Sequence, residues 1–191
     1  MRNLLLSLAS LASLPTLSLA QSAPTSGFYL GLGPSVLTSK PFNSQDATAL
    51  VGPALTGGLQ VTPHVALQLS AAYGWKNTTT AYTYYYPGST IASVNSGDEH
   101  LKVYTFPLLV RVTLTAPTSR VHADVLGGVT YLHSTSHEVY TSTLSGQVTR
   151  QDENAYATNR ANVTLGPAIR YAFTPRWEVA ANALVNYEVV G

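Results

Sequence analysis

The sequence contains no cysteine, and this absence removes several kinds of chemistry at once. Disulfide bonds, thiol nucleophiles and cysteine-ligated metal sites are all excluded. Charge is also scarce, because Asp, Glu, Lys and Arg make up 10% of the chain, against about 25% in typical soluble domains. The ten Lys and Arg nearly balance the nine Asp and Glu. The chain therefore lacks the basic excess with which proteins bind nucleic acids.

Long hydrophobic runs are missing as well, since a helix that spans a bilayer takes about 20 apolar residues and no such run follows the N-terminus. The N-terminal stretch MRNLLLSLASLASLPTLSLA is short, apolar and rich in serine, with Arg2 near its start and Ala20 at its end. This pattern predicts an export signal over residues 1–20, cleaved before Gln21. The alternative is an amphipathic or anchoring N-terminal helix. A short leader (21–26) then precedes one domain at 27–191.

The rest of the chain shows apolar residues at every second position. In 104–114, for example, Phe106, Leu108 and Val110 fall on one face, and Thr105 falls on the other. Alternation with a period of two predicts β-strands, and these are longer than the usual strand of about 5–6 residues. The chain is therefore predicted to be all-β. Seven segments show the pattern: 28–36, 49–61, 65–76, 104–114, 121–131, 161–173 and 177–189.

The two faces of these strands differ in a way that predicts an inside-out barrel. One face is aliphatic, and the other carries Gly, Ala, Ser and Thr, which fit the narrow interior of a barrel of about eight strands. Aromatic residues gather at both ends of the aliphatic face, as expected of girdles at the two surfaces of a membrane. They are Tyr73, Trp75, Tyr104, Phe106, Tyr131 and Tyr187 at one end, and Tyr171, Phe173 and Trp177 at the other.

The connections also alternate in length. Short turns are predicted at 62–64, 115–119 and 174–176, and long polar loops at 77–98 and 138–160. One hairpin is written twice, as GPALTGGLQVTPHVALQLSAAYGW at 52–75 and GPAIRYAFTPRWEVAANALVNY at 166–187. Tight turns on one side and long loops on the other are typical of up-and-down barrels of the outer membrane.

These features together resemble the small outer-membrane β-barrels of the OmpA, OmpX and opacity-protein type. The resemblance implies an antiparallel, up-and-down transmembrane barrel of nominally eight strands in the outer membrane of a Gram-negative bacterium. It also implies contact with outer-membrane lipid and lipopolysaccharide, insertion by the barrel-assembly machinery, and no cofactor. The chain departs from that family in showing seven strands and in ending at Gly191 rather than at an aromatic residue. We expect the last strand to be missing from the sequence, the alternative being an unusual closure.

Several polar side chains are predicted to point into the barrel and form an ion-pair network. Counting back from the 115–119 turn places Arg111 opposite Asp124, and the Thr174 turn places Arg170 opposite or one pair away from Glu178. Such a network is a structural plug or, alternatively, a gate in a narrow polar pathway. The plug is favoured because opposite charges in a narrow interior neutralise one another. Lys76, His122, Gln68 and Glu188 are predicted to share this interior.

The segment His133-Ser134-Thr135-Ser136-His137-Glu138 contains the residue types of a hydrolase. A serine with a histidine base and a carboxylate would be similar to the barrel-type lipid A deacylases. Successive residues of a strand point to opposite sides, however, so His133 and Ser134 cannot meet. The segment is interpreted as a polar rim. Neither a catalytic residue nor a metal site at His133 and His137 is predicted.

A run of tyrosines is the most suggestive surface feature, and it comprises Tyr82, Tyr84, Tyr85 and Tyr86. Tyrosine provides a large contact area at low entropic cost, so the run could contact a host surface, a glycan or a neighbouring protein. The alternative is an extended hairpin arm, since alternating Tyr and Thr favour strands. The sequence therefore predicts a barrel with a plugged polar interior and a structural, adhesive or surface-interaction role. A narrow channel for small solutes or ions is the alternative, and an outer-membrane lipid hydrolase is a distant third.

Overall fold

A computed structural model describes residues 8–20, 27–40, 48–85, 92–144, 147–174 and 177–190. These residues form eight β-strands. Among them, no helix is both long and apolar enough to cross a bilayer. The strands are β1 (Leu8–Ala20), β2 (Gly27–Lys40), β3 (Thr48–Thr62), β4 (Val65–Tyr85), β5 (Ala92–Thr113), β6 (Val121–Leu144), β7 (Gln147–Thr174) and β8 (Trp177–Val190).

The eight strands follow one another around a closed barrel, so the predicted all-β, up-and-down architecture is confirmed. The seven predicted segments correspond to β2 through β8. The eighth position is taken by β1, in which Leu11 pairs with Leu37 of β2 on one side and with Leu184 of β8 on the other. The strand that closes the barrel in this structure is Leu8–Ala20, which lies within the predicted export signal. The predicted leader, 21–26, lies outside the described residues.

The strands are grouped into two compact units. The larger unit comprises residues 1–74, 104–133 and 159–191, and the smaller unit comprises residues 75–103 and 134–158. The smaller unit corrects one expectation, because the segments predicted as long polar loops are mostly strand. β4 continues to Tyr85 and β5 begins at Ala92. The alternating Tyr and Thr residues favour this extended conformation, and Tyr82, Tyr84 and Tyr85 of the run lie on β4.

In the larger unit the two strand faces are oriented as predicted. Leu32 is 62% exposed and Leu165 is 61% exposed, whereas Arg111 is 4% exposed and Thr105 is fully buried. A soluble protein does not expose so continuous an apolar surface to water. The arrangement is that of a barrel whose aliphatic band faces hydrocarbon and whose polar residues fill the interior.

The repeated Gly-Pro-Ala sequence has a structural cause. A Cβ atom on Gly52 would collide with the carbonyl oxygen of Tyr73, and one on Gly166 would collide with the carbonyl oxygen of Ala183. Both glycines lie on the inner, buried face of their strands. Only glycine allows the neighbouring strand to approach so closely. The repeated hairpin therefore contains two equivalent positions at which adjacent strands approach one another closely.

Candidate functional site

Arg170 is the centre of the polar interior of the larger unit. Its Nε donates to Asp124 Oδ2 at 2.5 Å and its Nη2 donates to Asp124 Oδ1 at 3.1 Å, while its Nη1 donates to Glu178 Oε2 at 2.8 Å. The side chain of Arg170 is 10% exposed, and those of Asp124 and Glu178 are 0% and 7% exposed. Paired, charge-assisted hydrogen bonds of this kind are about twice as strong as neutral ones. One guanidinium therefore pairs with two buried carboxylates and ties β6, β7 and β8 together.

Thr113 completes this group from β5. Its Oγ1 donates to Asp124 Oδ1 at 2.6 Å and accepts a hydrogen bond from Arg170 Nη2 at 3.1 Å. Asp124 thus receives hydrogen bonds from two strands, as a buried carboxylate requires if it is to remain ionised. The ion pairs and Thr113 form a continuous polar layer across four adjacent strands.

Arg111 makes a different set of contacts. Its guanidinium lies 4.5 Å from the centre of the Tyr29 ring, and its Nη2 donates to Gln60 Oε1 at 3.1 Å. The Tyr29 hydroxyl donates to Gln68 Oε1 at 3.2 Å. The buried Nε of Arg111 has no hydrogen-bond partner among the described residues. Arg111 is therefore held by a cation–π contact and an amide rather than by a carboxylate.

The predicted pairing of Arg111 with Asp124 is wrong. Leu114 N donates to Ala123 O at 2.8 Å, so the adjacent inner position, Thr113, is the one beside Asp124. The observed register differs from the predicted one by two residues along β5, which is one position on the inner face. By contrast, Arg170 and Glu178 do form the expected pair at 2.8 Å, because the pairing of Thr174 with Trp177 fixes the register of β7 and β8.

The remaining residues assigned to the network make no described ion pair with Arg170, Asp124 or Glu178. His122 Nδ1 is 3.2 Å from Thr115 Oγ1, close to the turn. Glu188 pairs with Arg160 at 3.3 Å. Lys76 is half-buried and belongs to the smaller unit, and no described carboxylate lies within ion-pair distance of it.

Tyr29 is the important interior residue that the sequence did not reveal. A Cβ atom on Gly58 would overlap the Tyr29 ring, and the two residues are paired across β2 and β3. The glycine therefore lets the ring lie flat against the wall and reach Arg111. The Gly57-Gly58 pair was the available signal, because a glycine within a strand often faces an aromatic side chain on the next one.

The predicted girdle residues of the larger unit form pairs of aromatic rings. The ring centres are 4.9 Å apart for Tyr73 and Tyr104, and 6.3 Å apart for Phe106 and Tyr131. In the second predicted girdle, the rings of Tyr171 and Phe173 meet edge to face, with their centres 4.8 Å apart. Trp177 is 45% exposed, Tyr187 is half-buried, and Trp75, in the smaller unit, is 50% exposed. Their depth in a membrane remains a prediction.

The polar side chains of the rim segment, 133–138, contact residues of the neighbouring strands. Ser136 Oγ donates to Glu99 Oε1 at 3.4 Å, and His137 Nε2 lies 2.7 Å from Glu153 Oε1. His133 Nδ1 lies 2.7 Å from Asn159 Oδ1. No serine of this segment bonds to a histidine in the described structure. In the described part of the chain, no three His, Asp or Glu side chains are grouped so as to hold a metal ion.

The tyrosine run is exposed where it is described. Tyr82, Tyr84 and Tyr85 are 66%, 52% and 63% exposed, and Tyr86 lies outside the described residues. On the same unit, Tyr140 is 49% exposed and donates from its hydroxyl to Glu138 Oε2 at 3.2 Å. This hydrogen bond raises the pKa of Tyr140 above its ordinary value of 10.0.

Comparison with known families agrees with this geometry. The profile of the outer membrane protein beta-barrel domain family matches residues 4–188. The chain belongs to that family. A search of curated proteins found no match. Membership places the protein in the outer membrane and explains why its exposed strand faces are aliphatic. The family match includes the residues of β1.

Proposed function

We propose that this outer-membrane barrel is closed by its own side chains and that its role is carried by the surface of the smaller unit. The observation that carries the proposal is the double ion pair of Arg170 with Asp124 and Glu178. The interior of a barrel of about eight strands is only wide enough to be filled by side chains. A filled interior leaves recognition, adhesion or mechanical support of the membrane as the remaining roles.

The hairpins of the smaller unit support the second half of the proposal. Their strands are longer than the 9–11 residues needed to cross a bilayer, since β6 has 24 residues and β7 has 28. The smaller unit contains 134–144 of β6 and 147–158 of β7. They also expose several tyrosines, which are typical of contact surfaces. We propose that these hairpins project from the surface of a Gram-negative cell and act in adhesion or surface interaction. Outer-membrane lipid, lipopolysaccharide and the barrel-assembly machinery are the proposed partners in the membrane.

A narrow channel is the second candidate. Thr105 Oγ1 and Arg111 Nε are buried and have no hydrogen-bond partner among the described residues, as would be expected if water entered the interior. Planar-bilayer recording separates the two candidates. A plugged barrel gives no resolved current steps, whereas a channel gives steps whose size follows the salt concentration.

Adhesion is tested on whole cells. Cells that display the full-length protein should bind host cells or matrix more than cells that display a variant with 77–98 and 138–160 replaced by short turns. Heat-modifiable gel migration establishes that the full-length protein and the variant are both folded. Equal binding by the two strains would contradict the proposal. We propose no enzymatic activity, because Ser136 is bonded to Glu99 and not to a histidine.

A further inference from the structure

Strands β5 and β6 have a register in the smaller unit that side-chain contacts define. Ser142 Oγ donates to Asn95 Oδ1 at 2.6 Å. Two residues further along β5, a Cβ atom on Gly97 would lie 3.1 Å from the ring of Tyr140. Each step forward on β5 is matched by an equal step back on β6, as an antiparallel pair requires.

The same register places Glu99 opposite Glu138. Like charges that face one another directly across two strands destabilise the pair. Each carboxylate receives one hydrogen bond, from Ser136 at 3.4 Å for Glu99 and from Tyr140 at 3.2 Å for Glu138. No Lys, Arg or His of the described chain lies within ion-pair distance of either one. The two negative charges are therefore not neutralised by any ion pair among the described residues.

Exposed aromatic rings share this side of the hairpins. Thr80 Oγ1 donates to Gly97 O at 3.4 Å and lies where a Cβ on Gly97 would point. Tyr82 and Tyr84 follow Thr80 at every second position of β4, so they lie on the same face. This surface is called the Tyr140 face, and it consists of Tyr82, Tyr84, Glu99, Glu138 and Tyr140.

The charge of the smaller unit is also negative. Its five carboxylates stand against three Lys and Arg, a net charge of −2 with histidine neutral. The acidic residues of this unit outside the Tyr140 face have partners on the hairpins. Glu153 pairs with His137, Asp152 pairs with Arg150, and Asp98 accepts a hydrogen bond from Thr79 at 2.7 Å. The charge available to a partner is therefore concentrated at Glu99 and Glu138.

We propose that the Tyr140 face binds a cationic segment of a peptide or protein through its Lys or Arg side chains. A guanidinium between Glu99 and Glu138 would donate a charge-assisted hydrogen bond to each carboxylate and reduce the repulsion between them. The Tyr140 ring, half exposed beside them, provides a cation–π contact. This inference rests on the proposed surface role and specifies the chemistry of its partner.

The test measures binding of a fluorescent hexa-arginine peptide to the full-length protein in nanodiscs of zwitterionic lipid. Glu99→Gln and Glu138→Gln together should weaken binding roughly tenfold or more, because two charge-assisted contacts are lost. Glu153→Gln is the matched control, since that carboxylate is exposed and pairs with His137. It should change affinity by less than about twofold, as expected for an exposed charge pair.

Stability gives a second readout that a purely structural role would not produce. The double glutamine variant should be as stable as the wild type or more stable, because it relieves like-charge repulsion. Reduced affinity with retained stability supports the proposal. Equal loss of binding in the Glu153→Gln control overturns it, as does unchanged binding in the double variant. Binding of a neutral oligosaccharide or of calcium alone, with none of hexa-arginine, also overturns it.

The two proposals fail in distinguishable ways. Cells that adhere through the hairpins but are unaffected by the double glutamine variant would contradict the cationic partner and leave the surface role standing. Cells whose adhesion does not depend on the hairpins at all would contradict the surface role, whatever the peptide does in nanodiscs.

Discussion

The ring of Tyr29 occupies the space into which a side chain on Gly58 would project. From this position the ring reaches the Arg111 guanidinium, 4.5 Å away. Part of the interior plug thus depends on a residue that has no side chain.

Gly58→Ala should therefore displace Tyr29 from Arg111. We expect a loss of about 1–2 kcal/mol in the free energy of unfolding, the size of a desolvated cation–π contact, measured by urea unfolding in detergent. Gly57→Ala is the control, because its Cβ would meet Leu30 Cδ1 at an ordinary 3.8 Å. Equal effects of the two substitutions would contradict the assignment.

Removing the ring itself should open the interior. Tyr29→Ala leaves Gln68 and Arg111 without their shared neighbour, so we expect small current steps in planar bilayers that the wild type lacks. Tyr171→Ala removes a ring of the same kind from the outer surface, where it is 41% exposed. Tyr171→Ala should therefore give no current steps. An absence of current steps in both variants would contradict this prediction and would mean that the remaining side chains close the interior without Tyr29.

Arg170→Met should be among the most destabilising single substitutions. It leaves Asp124 and Glu178 buried without their cation, a change that costs about 3–5 kcal/mol. This loss is measured as a shift in the midpoint of urea unfolding, which heat-modifiable gel migration monitors. Arg150→Met removes an exposed pair with Asp152 and should cost at most about 1 kcal/mol. Similar midpoints for the two variants would show that the interior pair is not needed.

The pKa of Tyr140 should lie above the ordinary tyrosine value of 10.0. Its hydroxyl donates to Glu138, and ionisation would break that bond and place two negative charges side by side, so the pKa is raised. The ultraviolet difference spectrum between the wild type and Tyr140→Phe isolates its titration. Adding Glu138→Gln to both proteins should lower the midpoint, since the neighbouring charge is gone. An unchanged midpoint would argue against the hydrogen bond.

The mature N-terminus decides between two roles for Leu8–Ala20. We expect the intact mass of protein extracted from outer membranes to correspond to a chain that begins at Gln21, as the signal pattern predicts. That cleavage removes β1, and the position between β2 and β8 must then be filled by other chain segments. A mass that includes residues 8–20 would show that the export prediction is wrong and that β1 belongs to the mature barrel.

Much of the fold follows from alternation alone, because a period of two fixes which face of each strand a residue occupies. Leu108 and Leu109 are neighbours of the same type, yet Leu108 is 44% exposed and Leu109 is 1% exposed. Their positions in the alternating pattern predicted this difference. Hydrophobicity by itself could not have done so.

Contacts within the interior were harder to predict. Arg170 and Glu178 lie near the ends of consecutive strands that pair at Thr174 and Trp177, so their pairing followed from counting. Arg170 also bonds to Asp124 on the strand before it, 46 positions earlier in the chain, and this contact depends on the relative stagger of two long strands. A shift of two residues at the 115–119 turn was enough to assign Asp124 to Arg111. The identity of β1 was hidden for another reason, since its composition also fits an export signal.

β1 is antiparallel to both of its neighbours, so β2 and β8 run in the same direction on either side of it. The seam between them can be closed by one pass of the chain, and a hairpin cannot fit because its second strand would meet β8 in parallel. Any segment that replaces β1 must therefore enter and leave on opposite sides of the membrane.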